Sequence, residues 1–166
     1  MMTGEVMSSH PWVGLSVASV AFLLAACAAK PAKPADTRAV LSASADVNPD
    51  PDGRPSPVVV RIYQLRGDSE FNGAAFMALY DKDKETLGAS LISREEQTLF
   101  PGQQLEVKLP LSPEAVFIGV FAGIRDFQST RWRAITRAPE NSKLKVLAKL
   151  KLTVHVDKGA ITASTN

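Results

Sequence analysis

VFIGVFAGI, residues Val116–Ile124, is the stretch of this sequence that decides its fold. It contains no charged residue, and its apolar side chains fall on both faces of an extended chain. A strand that is apolar on both faces belongs at the centre of a sheet, with a neighbour on each side and both surfaces covered. The sequence therefore predicts a central strand here, inside a layered domain.

Two other segments after residue 37, Gln104–Leu111 and Leu144–Val156, show the alternation of half-buried strands. In Leu144–Val156 the even-numbered residues are apolar, whereas the odd-numbered ones include three lysines and His155. The further predicted strands are Ala39–Ala45, Val58–Leu65, Gln104–Leu111, Arg131–Thr136, Leu144–Val156 and Ala160–Ala163. Short strands of this number and spacing predict a mainly β fold, a two-sheet β-sandwich with mostly antiparallel strands.

The segment between the second and third predicted strands has helical spacing instead. Phe71, Ala75 and Leu79 lie four residues apart, and Asp68 or Ser69 can cap a helix that carries them on one face. This pattern predicts a helix inserted into the sandwich.

A second short helix is predicted at Ser93–Glu96, whose SREE pattern is a capping box. Pro101 and Gly102 would end it. Together with the first, it makes a small helical insertion between the second and third strands.

A signal sequence precedes these elements. Val13–Ala26 is an uncharged apolar run, shorter than the roughly 20 residues that span a bilayer, and is typical of a signal-peptide core. Leu24–Cys27 (LAAC) matches the lipobox at which bacterial lipoprotein precursors are cut and acylated. The sequence predicts a signal peptide over residues 1–26, a lipid on Cys27, a tether over residues 27–37 and a sandwich domain over residues 38–166.

Cysteine usage and charge exclude several kinds of site and partner. Cys27 is the one cysteine of the chain, so no disulfide or nucleophilic thiol remains once it is acylated. Residues 1–26 hold no Lys or Arg, whereas signal peptides normally begin with positive charge, and Met7 is an alternative start. The formal net charge is +2 and the basic residues are scattered, a pattern that excludes a nucleic-acid-binding groove.

The sequence lacks the residue constellations that catalysis requires. After Cys27 the chain has a single histidine, His155, among lysines on the polar face of a strand. Asn48–Gly53 (NPDPDG) resembles the start of a calcium loop, but Val59 stands where the bidentate glutamate is needed. We therefore expect no enzyme, no metal site and no cofactor.

The loop over residues 46–56 is the candidate recognition segment. Loops on a rigid scaffold often carry binding function, and prolines that restrict a loop lower the entropy lost when it docks. Its aspartates predict an acidic face beside Arg54. The candidate partner-binding residues are Asp46, Asn48, Pro49, Asp50, Pro51, Asp52, Gly53 and Arg54.

Two alternatives to this recognition loop stay open. The loop can be a tight connection whose prolines and Gly53 only turn the chain. The recognition surface can also lie at Arg125–Arg133, because Arg and Trp are enriched at interfaces, although Trp132 is as readily explained as a core residue.

The order of the motifs resembles one family. A lipobox and short tether are followed by NPDPDGRPSPVVVRIYQL, FNGAAFMALYD, SREEQ with PGQ, VFIGVFAGIRDF and RWR. This series resembles TssJ (SciN, VasD), the outer-membrane lipoprotein family of the type VI secretion system. The resemblance covers residues 27 to about 156 and is most specific at Asn48–Pro57 with Tyr63–Leu65.

The resemblance implies a transthyretin-like β-sandwich with an added helical element. It also implies a lipoprotein on the periplasmic face of the outer membrane that binds the C-terminal periplasmic domain of the inner-membrane protein TssM, which works with TssL. Two other functions are compatible with a lipid-anchored sandwich: a periplasmic carrier of a small ligand, and a pilot lipoprotein of another secretion channel.

Overall fold

The computed structural model describes residues 37–139 and 151–166. The elements in these ranges are β1 (Arg38–Ala43), β2 (Val58–Leu65), α1 (Ser69–Gly73), α2 (Phe76–Leu87), β3 (Leu91–Leu99), β4 (Gln104–Lys108), β5 (Phe117–Gly123), β6 (Arg133–Arg137), β7 (Lys151–Val156) and β8 (Ile161–Thr165). Neither α1 nor α2 is long and apolar enough to cross a membrane. The predicted signal peptide, tether residues 27–36 and residues 144–150 of the predicted long strand lie outside the described residues.

The strands form two four-stranded sheets. Their orders are β4-β1-β7-β8 and β3-β2-β5-β6. Neighbouring strands are antiparallel except for β1 and β7, which run parallel with Leu41 opposite Val154. The prediction of a mainly β, two-sheet sandwich is confirmed, and the parallel pair is a feature that the alternation of single strands did not indicate.

Strand β5 lies between β2 and β6 and is covered on both faces. Ile118, Val120 and Ala122 are fully buried in the core between the two sheets. On the opposite face, Gly119 and Phe121 lie under the helices, with Phe121 fully buried. The prediction that the most apolar segment of the chain is a central, doubly covered strand is confirmed.

The two helices cover the outer face of the β3-β2-β5-β6 sheet. Phe71 of α1 lies against Tyr63, with ring centroids 5.8 Å apart, and Phe76 of α2 lies 5.2 Å from Phe121. Leu79 is buried in the same apolar cluster, which lies between the helices and the sheet. Full burial of each such side chain contributes about 1.5–3 kcal/mol, so packing on the sheet is what holds these short helices.

The prediction of one continuous helix through Phe71, Ala75 and Leu79 is wrong. The chain is extended at Ala74 and Ala75, which separate α1 from α2. Phe71 and Leu79 are buried, each in its own helix, whereas Ala75 is exposed. Asp68 stands at the cap position of α1, but its side chain makes no capping hydrogen bond.

The second predicted helix, at Ser93–Glu96, is also wrong because this segment belongs to strand β3. Glu95 pairs with Ile62 and Glu96 with Arg61 in the antiparallel ladder with β2. Arg61 Nε donates to Glu96 Oε2 at 2.7 Å. As an edge strand, β3 keeps its polar side chains hydrated, and the cross-strand pairing overrides the local capping pattern.

A buried carboxylate joins α2 to the sheet. Asp83 accepts a hydrogen bond from the Tyr63 hydroxyl and one from Arg94 Nη1, both at 2.9 Å, and Arg61 Nη1 lies 3.5 Å away. Burial acts to raise the pKa of Asp83, but the hydrogen bonds and the positive charges of its partners outweigh burial, and the pKa lies below its usual value. Burial, followed by the charge of Asp83, raises the pKa of Tyr63.

Candidate interaction surface at one end of the sandwich

Four loops meet at one end of the sandwich, which we call the loop end. They are residues 44–57 after β1, 100–103 after β3, 124–132 after β5 and 157–160 after β7. Backbone hydrogen bonds join them: Gly102 N to Ser44 O at 3.0 Å, and Arg131 N to Gly159 O at 3.2 Å. The topology thus brings together segments that are far apart in the sequence.

The loop over residues 44–57 is folded around the side chain of Asp50. Asp50 Oδ1 accepts hydrogen bonds from the amides of Asp52 at 3.0 Å and Arg54 at 2.9 Å. Arg54 Nε donates to Asp50 Oδ2 at 2.9 Å. Gly53 closes the turn with φ of 80°, a conformation that glycine adopts without strain. These bonds and the turn at Gly53 hold the tip of the loop in this conformation.

Two of the predicted acidic residues present their charge to solvent. The side chain of Asp52 is 76% exposed and accepts from Arg54 at 3.1 Å, whereas that of Asp50 is only 16% exposed. The hydrogen bond from the Arg54 amide is the largest cause that holds the pKa of Asp50 below its usual value. Asp46 is exposed, and a hydrogen bond from Ser44 lowers its pKa. The acidic surface of the loop thus consists of Asp46 and Asp52 beside Arg54.

Asn48 has a different role from the acidic residues. Its side chain is buried, and its backbone has a positive φ of 47°, which asparagine tolerates better than most residues. Nδ2 donates to Pro57 O at 2.8 Å, and Oδ1 accepts from the amide of Arg125 at 2.9 Å. Asn48 therefore joins the loop over residues 44–57 to the loop over residues 124–132 and contributes to any binding through their shape.

Prolines stiffen the exposed part of the same loop. Pro51 and Pro55 are exposed and Pro49 is half-buried. Proline fixes φ near −65°, so the loop has fewer alternative conformations when it is free. Of the eight candidate partner-binding residues, Asn48 is the buried one.

The alternative recognition segment, Arg125–Arg133, lies beside this loop. Phe127 stacks on Phe76 of α2 with centroids 4.3 Å apart, and Trp132 is half-buried against the same ring at 5.3 Å. Trp132 packs against the apolar cluster between the helices and the sheet, and not against the core between the two sheets. Arg133 donates to the carbonyls of Phe71 at 2.9 Å and Ala74 at 2.7 Å. Much of this segment therefore holds the helices in place.

The sequence reasoning missed the other two loops of the loop end. Lys158 lies near enough to Asp46 for its charge to lower the pKa of that carboxyl. Asp157 Oδ1 accepts hydrogen bonds from the amides of Gly159 and Ala160, both at 2.7 Å, and so closes the turn after β7. The spacing of Asp157 and Gly159 at a strand end is a turn signal, but nothing in it indicates which loops lie nearby.

The remaining predicted residues lie elsewhere. Cys27 is outside the described residues. His155 is exposed on the outer face of β7, and its Nδ1 lies 2.9 Å from the hydroxyl of Ser42. Within residues 37–139 and 151–166, no group of three or more His, Cys, Asp or Glu side chains is arranged to hold a metal ion.

The fold and the loop end define a class: a β-sandwich domain with a helical layer on one sheet and hydrogen-bonded loops gathered at one end. The model of the family described as type VI secretion lipoprotein, VasD, EvfM, TssJ, VC_A0113 matches residues 35–159. The chain belongs to this type VI secretion lipoprotein family, so the resemblance predicted from the motifs is confirmed.

Solved structures of the family have the same fold. The T6SS lipoprotein TssJ1 from Pseudomonas aeruginosa is 26% identical, with a TM-score of 0.71, and the match covers 80% of this chain and 97% of that chain. Serratia marcescens Lip, a membrane-bound component of the type VI secretion system, is also 26% identical, with a TM-score of 0.70, over 79% of this chain and 98% of that one.

A third match comes from a structure described as the T6SS protein TssM C-terminal domain (869-1107) from EAEC. The matching chain is 27% identical with a TM-score of 0.62, over 77% of this chain and 99% of that chain. The comparison with curated proteins gave no match.

Proposed function

We propose that this chain is an assembly protein of a type VI secretion membrane complex. A lipid on Cys27 anchors it to the periplasmic face of the outer membrane, and its loop end binds the periplasmic C-terminal domain of a TssM-like inner-membrane protein, which connects it indirectly to a TssL-like protein. The observation that carries the proposal is the rigid loop over residues 44–57, held at the far end of the sandwich from the point where the tether joins.

The positions of anchor and loop fit this role. The tether joins the domain at Thr37, next to Arg38, the first residue of β1. The loop over residues 44–57 begins after Ala43, the last residue of the same strand. A strand of this length spans about 20 Å at 3.3 Å per residue. A domain held to a membrane at the start of β1 can therefore present the loop end to a protein that reaches it from the opposite side of the periplasm.

The loop is suited to binding because its shape exists before the partner arrives. Asp50 and Asn48 hold it with hydrogen bonds from backbone amides, and the prolines restrict the remaining backbone. Rigid loops lose less conformational entropy on association than flexible ones. The exposed charges of Asp46, Asp52 and Arg54 would add hydrogen bonds and salt-sensitive pairing to the fit of shape.

Membership of the family supports a partner in the secretion complex. A chain with this fold is also part of a structure described as a TssM C-terminal domain, which supports a TssM-like partner over an unrelated one. The pilot lipoprotein of another secretion channel is a weaker alternative, because the family is one of type VI secretion lipoproteins.

A carrier of a small ligand is also less well supported than an assembly protein. Such a carrier needs a cavity lined by convergent polar groups. The space between the sheets is filled instead by aliphatic side chains that are fully buried, among them Leu41, Ile62, Val120 and Leu152.

Calorimetry on the mature protein in detergent tests the proposal. Replacing Asp50-Pro51-Asp52 with Gly-Ser-Gly should weaken binding to the TssM-like periplasmic domain at least tenfold, which corresponds to about 1.4 kcal/mol. The matched control replaces Ser112-Pro113-Glu114, a proline-containing loop at the opposite end, in the same way. Equal affinity of the two variants, with both folded by circular dichroism, would move the partner site away from the loop over residues 44–57.

A further inference from the structure

We propose that the β4-β1-β7-β8 sheet carries a second contact site, at the end where the tether joins, and that its ligand is the anionic phospholipid headgroup of the anchoring membrane. The inference rests on the lipid anchor of the proposed function and is independent of the loop end. It is carried by a row of cations that runs across three neighbouring strands.

The row consists of Lys108, Arg38 and Lys151. Arg38 on β1 lies directly opposite Lys108 on β4 and directly opposite Lys151 on β7. All three are exposed on the outer face of the sheet, and the strands are about 4.8 Å apart. Like charges directly opposite each other in a sheet are destabilising, so the folded domain gains if an anion neutralises this row.

Only part of this charge is balanced within the sheet. Arg38 Nη1 donates to Glu106 Oε1 at 2.5 Å. Glu106 is the single carboxylate side chain among the described residues on this face, and Lys108 and Lys151 form no ion pair with a described residue. Lys108 and Lys151 therefore carry two positive charges that no described ion pair balances.

The position of the row favours a membrane over a soluble acidic protein. Arg38 follows Thr37 directly, and residues 28–36 can span at most about 30 Å between the acylated cysteine and the sheet. A chain fixed to lipid by so short a tether samples the headgroup region continually, whereas the Debye length of about 8 Å limits attraction from farther away.

Reconstitution of the acylated full protein in vesicles tests the site. We would compare vesicles of phosphatidylcholine alone with vesicles that also contain phosphatidylglycerol, and measure the acetylation rate of each lysine by mass spectrometry. Acetylation of Lys108 and Lys151 should be about fivefold slower on the anionic vesicles, as expected when each cation near an anionic surface gains about 1 kcal/mol. The matched control is Lys158 in the loop over residues 157–160, whose rate should be the same on both.

Two further measurements test whether electrostatic contact with the headgroups causes the protection of the lysines. The protection should disappear in 1 M salt, where the Debye length is about 3 Å. In the second, a fluorophore is attached after Thr153→Cys on the same sheet face, and energy transfer to a headgroup dye should fall when Lys108→Gln and Lys151→Gln are introduced together.

The outcomes are separable from those of the proposed function. Equal acetylation of Lys108 and Lys151 on the two kinds of vesicle, or the same protection at Lys158, would overturn the headgroup site. Failure of the protein to associate with either kind of vesicle would contradict the lipid anchor itself. Loss of binding to the TssM-like domain would leave the headgroup site unaffected, because the row lies at the other end of the sandwich.

Discussion

The side-chain oxygen of Asn48 accepts a hydrogen bond from the backbone amide of Arg125 at 2.9 Å, across 77 residues of sequence. The same side chain donates to the carbonyl of Pro57, so both of its polar atoms are used in a buried position. One residue thus fixes two loops of the proposed binding end relative to each other.

Asn48→Gly should uncouple these two loops while leaving the backbone conformation accessible, because glycine adopts a positive φ freely. We expect the amide of Arg125 to exchange hydrogen faster and the affinity for the TssM-like domain to fall by about 1–2 kcal/mol. Asn48→Asp keeps the acceptor for Arg125 and should retain protection of that amide. Wild-type affinity in a Gly variant whose Arg125 amide exchanges rapidly would show that loop coupling is irrelevant to binding.

Gly119→Ala should destabilise the domain by about 1–3 kcal/mol because of overpacking. A Cβ atom at this position would lie 3.0 Å from Phe71 Cζ and 3.2 Å from Leu65 Cδ1, so these two fully buried side chains would have to move by a few tenths of an ångström. Gly73→Ala is the matched control, since a Cβ there meets nothing within 4 Å. Urea denaturation measures both, and equal midpoints for the two variants would contradict the close packing of Phe71 on β5.

Asp83→Asn should cost about 3 kcal/mol of stability at neutral pH, because it leaves the guanidinium groups of Arg61 and Arg94 without their shared carboxylate. The folded-state pKa of Asp83 is lowered, so the folded protein binds this proton more weakly than the unfolded chain does. Its contribution is therefore present above the unfolded pKa of about 3.9 and is lost as the pH falls through the folded pKa.

Urea unfolding of wild type and Asp83→Asn as a function of pH checks this sign. The free-energy difference between them should be constant above about pH 5 and should shrink as the pH falls below 4. A difference that grows on acidification would mean that Asp83 is not held as a carboxylate in the folded protein.

Cys27→Ser should abolish acylation and release the protein from membranes. Each buried CH₂ of an acyl chain contributes about 0.8 kcal/mol, so the loss of two or three chains removes nearly all membrane affinity. Labelled palmitate and membrane fractionation provide the measurement. Continued labelling and outer-membrane sedimentation of the variant would place the lipid on another residue.

His155→Gln should leave secretion by the assembled system intact. The imidazole is exposed, and its Nδ1 lies 2.9 Å from the hydroxyl of Ser42, so the stability should change by less than about 0.5 kcal/mol. Effector release into the medium is compared with that of the wild type at matched protein level. A secretion defect in a folded variant would indicate a chemical role for this side chain.

The segments with the strongest apolar patterns were predictable from the sequence. The apolar run Val116–Ile124 predicted the doubly covered β5, and the β-branched residues of Val58–Leu65 predicted β2, because both signals are residue types along one short segment. The candidate loop over residues 46–56 was also found, since prolines, aspartates and Gly53 indicate a stiff turn wherever it lies in the fold.

Edge strand β3 and the helix break could not be predicted in the same way. The polar SREE pattern fits a helix cap locally, and only pairing of Glu95 and Glu96 with β2 makes it a strand. Similarly, Phe71 and Leu79 are at helical spacing, but the chain is extended at Ala75 and each side chain packs into the same cluster from its own helix.

By itself, then, the sequence determined the strand-forming segments, the sandwich class and the lipoprotein family, because each depends on residue types at short separation. The tertiary structure alone decided that β1 pairs in parallel with β7, that Asn48 meets Arg125 and that Lys108, Arg38 and Lys151 form one row. These contacts join segments tens of residues apart, and their geometry follows from the packing of two complete sheets, which no local pattern contains.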